Sequence, residues 1–238
     1  MSINKREPGQ IKPYLFIMCA AFLWASGGTA SKYLFNAGMS PYVLVQYRVS
    51  FSALVIFGYL FFFERNSLKI DKKDLWNLAI LGAFGMGGVQ VTYLFAISKI
   101  KVAMAILLQY LAPFFVAIYS YLFFKERMDR WKVLSLFLAF IGCFFVVEAY
   151  GVSFLFLDRQ GLIAGLLSAG FFSFYSLLGE RLMRKYNPWT VLLYAFAFAT
   201  ILFNSILPPK NLLIWKTEFC TFITVVYIIS FGTAIPIK

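Results

Sequence analysis

Eight stretches of about 20 apolar residues, each long enough to cross a bilayer as a helix, run the length of the chain. They occupy residues 14–35, 42–63, 75–97, 102–124, 131–147, 161–178 and 189–207, with an eighth that opens at 219 and reaches the last residue. Hydrophobic residues fill 61% of the 238 positions and charged ones 13%, more apolar surface than one soluble core hides. The expected class is therefore an all-α membrane protein whose principal partner is the lipid bilayer. Tyr14, Tyr42, Trp76, Trp131, Tyr150, Trp189 and Trp215 stand near the ends of these stretches, where amphipathic rings favour the headgroup level. A cleaved signal peptide is the other reading of the first stretch, but its apolar run exceeds the usual h-region and more spans follow.

The net charge of +12 would suggest nucleic acid in a soluble protein, yet the basic residues sit in short runs between apolar stretches. That distribution sets topology and argues against a nucleic-acid partner. Fourteen basic residues, among them Lys5, Arg6, Arg65, Lys72, Arg130 and Arg184, fall on one side of the alternating spans, and six on the other. The rule that basic loops stay inside predicts a cytoplasmic N-terminus in a cell-membrane protein. Cys19, Cys143 and Cys220 share no ligand spacing, and the chain has no histidine, so no metal site or cofactor is expected.

Shifted by 147 residues, the chain matches itself without a gap. Pro41 meets Pro188, Tyr47 meets Tyr194, Lys69 meets Lys216, Asp71 meets Glu218, and Phe84-Gly85 meets Phe231-Gly232. The repeating unit holds five spans, an odd number, so the second copy enters the membrane from the opposite side. Charge agrees: the loop after span one, 36–40, has no basic residue, whereas its counterpart has Arg181, Arg184 and Lys185. Inverted repeats of this kind mark secondary transporters. The predicted organisation is a tail at 1–13, a five-helix unit at 14–148, a linker at 149–160 and an incomplete second unit at 161–238. A full second unit would end near position 294, about 56 residues past Lys238, so about eight of ten helices are expected here.

Several segments resemble the EamA-type members of the drug/metabolite transporter superfamily. They are AAFLWASGGTASKYL (20–34), SPYVLVQYR (40–48), GAFGMGGVQ (82–90), Pro113, FFKERMDRWKVLSLFLAFIG (123–142), NPWTVLLY (187–194) and FGTAIP (231–236). The resemblance implies ten helices in two inverted five-helix units around a central cavity that opens to each side in turn. It also implies a small-molecule substrate such as an amino acid, another metabolite or a drug. Whether such a carrier works as a monomer or a homodimer stays open.

Polar and aromatic residues at mid-span are the candidates to line that cavity: Trp24, Ser26, Thr29, Gln90, Tyr93, Gln109, Tyr110, Ser173 and Tyr175. Hydroxyls and amides buried in hydrocarbon cost energy without partners, so they face protein or a wet cavity. For each of them, bonding between helices and contact with substrate remain open. Arg48, about 10 Å into span two, fits an internal pairing, an anionic substrate group or snorkelling to the interface. Pro113 is expected to bend span four, and the resemblance implies that this bend lies beside the cavity. Glu126, at the end of span four, fits either a helix-end ion pair or a gate, and Gly85 and Gly88 fit either close helix approach or flexing. An enzyme is disfavoured: the chain lacks histidine, a cysteine pair and clustered carboxylates near a membrane face. An inserted but inactive remnant of a carrier is the remaining reading.

Overall fold

The computed structural model describes residues 11–124, 129–146, 158–208 and 219–229, which are helices joined by short turns, with no strand among them. In chain order the helices are α1 (Ile11–Asn36), α2 (Pro41–Phe63), α3 (Leu75–Ile80), α4 (Gly87–Lys99), α5 (Val102–Gln109), α6 (Ala112–Phe124), α7 (Arg130–Val146), α8 (Arg159–Met183), α9 (Pro188–Ile206) and α10 (Phe219–Ile229). Among the described residues the eight apolar stretches fall on helix, apart from short breaks such as 110–111. Span three is α3 and α4 joined by a π-helical turn, Leu81–Met86, and span four is α5 followed by α6. Five spans (α2, α3 with α4, α5 with α6, α8 and α9) meet the length and hydropathy needed to cross a membrane.

Local chemistry sets the ends of these helices. α2 and α9 both open on proline, Pro41 and Pro188, where the missing N–H falls in the first turn and costs no helical bond. Asn187 caps α9 by accepting the Trp189 N–H at 3.0 Å. α1 closes with Gly38 in the left-handed region at φ 91°. There the Met39 N–H reaches the Leu34 carbonyl and the Gly38 N–H reaches that of Phe35, both at 3.0 Å, the pairing that satisfies a helix C-terminus. The starts of α2 and α9 lie 147 residues apart, and so do the ends of α1 and α8, Asn36 and Met183.

Helix neighbours follow the same relation. α4 lies on α8, α1 on α10, and α2 on α9; the π turn meets α9, and α10 meets α2. Exchanging the two copies converts the span-three/span-six pair into the span-eight/span-one pair and returns α2–α9 to itself, as a two-fold axis through α2 and α9 requires. The loops confirm the inversion. The connection 64–74 between spans two and three meets the connection between spans six and seven, where Tyr186 bonds Asp74. At the other end of span three, Lys32 of α1 donates to the carbonyls of Ile97, Ser98 and Ile100, at 2.8, 3.1 and 3.2 Å. Leu75 to Lys99 spans about 37 Å at helical rise, so Asn36 and Tyr186 lie on opposite faces.

Span four breaks where Pro113 demands it. The proline ring cannot accommodate the carbonyl four residues back, and α5 stops at that residue, Gln109. α6 restarts at Ala112, with Pro113 in its first turn, and the Ser173 hydroxyl of α8 donates to the Ala112 carbonyl at 2.9 Å.

Candidate functional site

The helices present the candidate residues in two groups, on opposite sides of α1. Consecutive residues turn by about 100°, so Gly27, Gly28, Ser31 and Leu34 form one buried stripe, while Ser26, Thr29, Ala30 and Tyr33 face away from it. The second stripe and Ile223, Thr224 and Tyr227 of α10 enclose an open cleft of about 550 Å³. Its walls carry five hydroxyls and no charged side chain. The Tyr227 hydroxyl donates to Ser26 Oγ at 2.8 Å, and Ser26 donates in turn to the Leu23 carbonyl at 2.9 Å. Thr29 donates to the Ala25 carbonyl at 3.3 Å, which leaves its oxygen lone pairs facing the cleft. The cleft occupies the half of the bundle towards Asn36, since Ser26 lies about 15 Å along α1 from that end.

Behind α1 is the second group. Arg48 of α2, half-buried, and Tyr93 of α4 interact electrostatically, as do Tyr93 and Tyr110 of the span-four break. The Tyr93 hydroxyl sits against Gly28, 3.2 Å from where a Cβ would stand. Gln90 is buried in α4, Gln109 is half-buried, and Trp24 on α1 is 46% exposed, outside the cleft lining. Ser173 is committed to the Ala112 and Ala169 carbonyls. Tyr175 covers Gly85, with its Cβ 3.5 Å from a Cβ added there, and Gly88 lies under the Phe171 ring, where an added Cβ would stand 2.5 Å from Cδ1. Glu126 lies outside the described residues. Among the described residues no three His, Cys, Asp or Glu side chains gather as a metal site would need.

Two polar assemblies were not singled out from the sequence. Gln46 of α2 donates through Nε2 to Asn204 Oδ1 of α9 at 2.8 Å, and Asn204 donates to Ser50 Oγ at 3.3 Å. This amide pair sits on the α2–α9 axis, and Gln46 Oε1 is buried there without a hydrogen-bond partner. The second assembly joins the two copies at the 64–74 face. Asp74 Oδ2 accepts from Lys185 Nζ at 2.5 Å and from the Tyr186 hydroxyl at 2.6 Å. The Asp71 N–H reaches the Tyr186 oxygen at 3.1 Å, and Asn187 Nδ2 reaches Glu64 Oε2 at 3.2 Å. Thr190 donates to the Ser67 carbonyl at 2.6 Å and Tyr194 to that of Leu68 at 2.9 Å. The hydrogen bond to Asp74 raises the Lys185 pKa, and the same bond, with that of Tyr186, lowers the Asp74 carboxyl, so both are charged at neutral pH. On the opposite face Asp158 caps α8 through the Gly161 N–H at 3.0 Å and lies 3.6 Å from Lys99 Nζ; the backbone bond lowers its pKa.

Residues 11–148, more than half of the chain, match the model of the EamA-like transporter family. The chain belongs to that family. This EamA-like chain is a multi-pass membrane protein, and its curated relatives carry transporter names. It is 27% identical over 194 residues to the uncharacterized inner membrane transporter YicL of Salmonella typhimurium, covering 80% of this chain and 65% of that one. It is 25% identical over 177 residues to the pseudopaline exporter CntI of Pseudomonas aeruginosa, covering 72% and 60%. The riboflavin transporter of Brucella anthropi is 26% identical over 133 residues, 56% of this chain and 42% of that one. The chain thus spans less than two thirds of the length of each of these three relatives. A solved crystal structure shares the fold at a TM-score of 0.65 and 20% identity, covering 94% of this chain and 75% of the other.

Proposed function

We propose that this EamA-like chain is a carrier of small organic metabolites that works by alternating access, in the cell membrane with its N-terminus cytoplasmic. The observation that carries the reading is the cleft between α1 and α10. Five hydroxyls converge on one open space of about 550 Å³, a size suited to a metabolite. Tyr227, Ser26 and Thr29 spend their hydroxyl protons on protein acceptors, and the oxygen lone pairs left over favour a polar ligand that donates hydrogen bonds. The relatives named as exporter of pseudopaline and transporter of riboflavin support organic solutes as the substrate class. Arg48, Tyr93 and Tyr110 act in this reading from behind α1, holding the helix that forms one cleft wall.

The test is flux in proteoliposomes holding the purified chain, screened against a pooled extract of small metabolites. Uptake or release of at least one organic solute above protein-free vesicles is expected, reduced by Ser26→Ala and Thr29→Val. Flux that appears only when the chain is extended by its downstream coding sequence would assign transport to a longer polypeptide. Flux indifferent to both cleft substitutions would remove the cleft from the mechanism.

A further inference from the structure

The assembly that ties 64–74 to 185–194 is built from residues that the repeat does not keep. Under the 147-residue repeat, Lys185 and Tyr186 correspond to Gly38 and Met39, and Asp74 corresponds to Thr221. The ammonium, the phenol and the carboxylate that converge in one closure are therefore not kept at the repeat-equivalent positions of the other. A carrier that alternates by rocking two related halves needs a closure at each end. In this chain one end has two short bonds to a single carboxylate, and among the described residues the other has the longer Lys99–Asp158 pair at 3.6 Å.

The open space agrees with that imbalance. The cleft lies towards Asn36, at the end opposite Asp74 and Lys185, and the two copies are drawn together where Asp74, Lys185 and Tyr186 meet. The bonds also run between the copies rather than within one. Asp74, Asp71, Glu64, Ser67 and Leu68 belong to the first unit, and Lys185, Tyr186, Asn187, Thr190 and Tyr194 to the second. Any rotation of one unit against the other that opened this face would break them together.

We propose that Asp74, Lys185 and Tyr186 form a gate that bolts the two repeats together at the 64–74 face and biases the resting carrier towards opening at the opposite face. The gate rests on the alternating-access reading, which places the 64–74 face in the cytoplasm. Asp74 is the shared acceptor, Lys185 supplies the charge and Tyr186 supplies direction, because its oxygen also receives the Asp71 N–H.

The test is accessibility of the cleft, read by a membrane-impermeant maleimide on a Thr29→Cys reporter in a chain whose three native cysteines are replaced by alanine. Right-side-out and inside-out vesicles present the two faces separately. With the gate intact, labelling is expected from the Asn36 face. Asp74→Asn and Lys185→Gln should each raise the labelling rate from the 64–74 face by about threefold, the population shift open to one partly exposed ion pair. The exchange of the pair, Asp74→Lys with Lys185→Asp, should return it towards the starting value, which guards against variants that merely misfold. Equal labelling from the 64–74 face in the parent and both single variants, with circular dichroism unchanged, would overturn the gate. Labelling reads exposure and not flux, so a chain that moved no solute would leave this result standing while the carrier reading fell.

Discussion

Two interfaces of this molecule descend from one, and they have been finished in different ways. Where α4 and the turn before it meet α8, glycines let the backbones close: Gly88 accepts the face of Phe171, Gly85 sits under Tyr175, and Gly165 lies against Leu108 at the edge of the same contact. The repeat-equivalent pair, α1 with α10, meets through Ser26 and Tyr227 and leaves the hydroxyl-lined cleft beside that contact. Small residues convert a duplicated contact into scaffold, and larger polar ones convert its copy into a place where a solute fits. The asymmetry between the copies, more than their likeness, is what points to function.

The largest effect is expected where the closed interface has no spare volume. Gly88→Ala would put a Cβ 2.5 Å from Cδ1 and 2.7 Å from Cγ of Phe171, ring atoms that cannot swing aside without moving the ring. A loss of about 2–3 kcal/mol is expected from such overfilling, measured by unfolding in mixed micelles. Phe171→Leu in the same chain should recover part of it; unchanged stability in Gly88→Ala would break the contrast between the interfaces. Next comes the open one. Tyr227→Phe removes the hydroxyl that bonds Ser26 and should raise the apparent KM for a transported solute by up to about tenfold with little change in stability.

A smaller effect concerns the cap that fixes α8 beside the α4–α5 corner. The Gly161 N–H holds the Asp158 pKa below its unfolded value, so the stabilisation is present above about pH 4 and fades as pH falls through the folded value. The unfolding midpoint of the natural chain should therefore fall more between pH 6 and pH 3 than that of Asp158→Asn, which keeps a capping side chain but does not titrate (roughly the carboxylate range). The smallest belongs to Gly170, on α8 with nothing within 4 Å of an added Cβ. Gly170→Ala should change stability by less than about 0.5 kcal/mol, and a large loss there would mean that an unseen neighbour covers this side of α8.

Much of this architecture was legible in the residues. The apolar runs are helix because only helices satisfy every backbone group in hydrocarbon, and the 147-residue shift located matching ends at Pro41 and Pro188. Pro113 announced the break in span four through its own ring. Neighbours were not legible. The helices are apolar on nearly every side, so no stripe says which face meets which partner, and Gln46 with Asn204 passed unnoticed although two amides at similar depth in repeat-equivalent helices were a usable signal. Lys185 was read for the sign of its charge and Lys32 as one of the few cations on the sparser face. Their acceptors, a carboxylate 111 residues away and carbonyls 65 to 68 residues away, are set by tertiary folding alone.

The π-helical turn at Leu81–Met86 carries a last consequence. One surplus residue in a turn swivels everything beyond it by most of a quarter circle about the helix axis. The first half of span three can thereby address α9, where Gly82 touches the Ala195 carbonyl, and the second half can address α8. A single wide coil makes one rod serve two clients, and deleting one residue from it would send α4 to the wrong one.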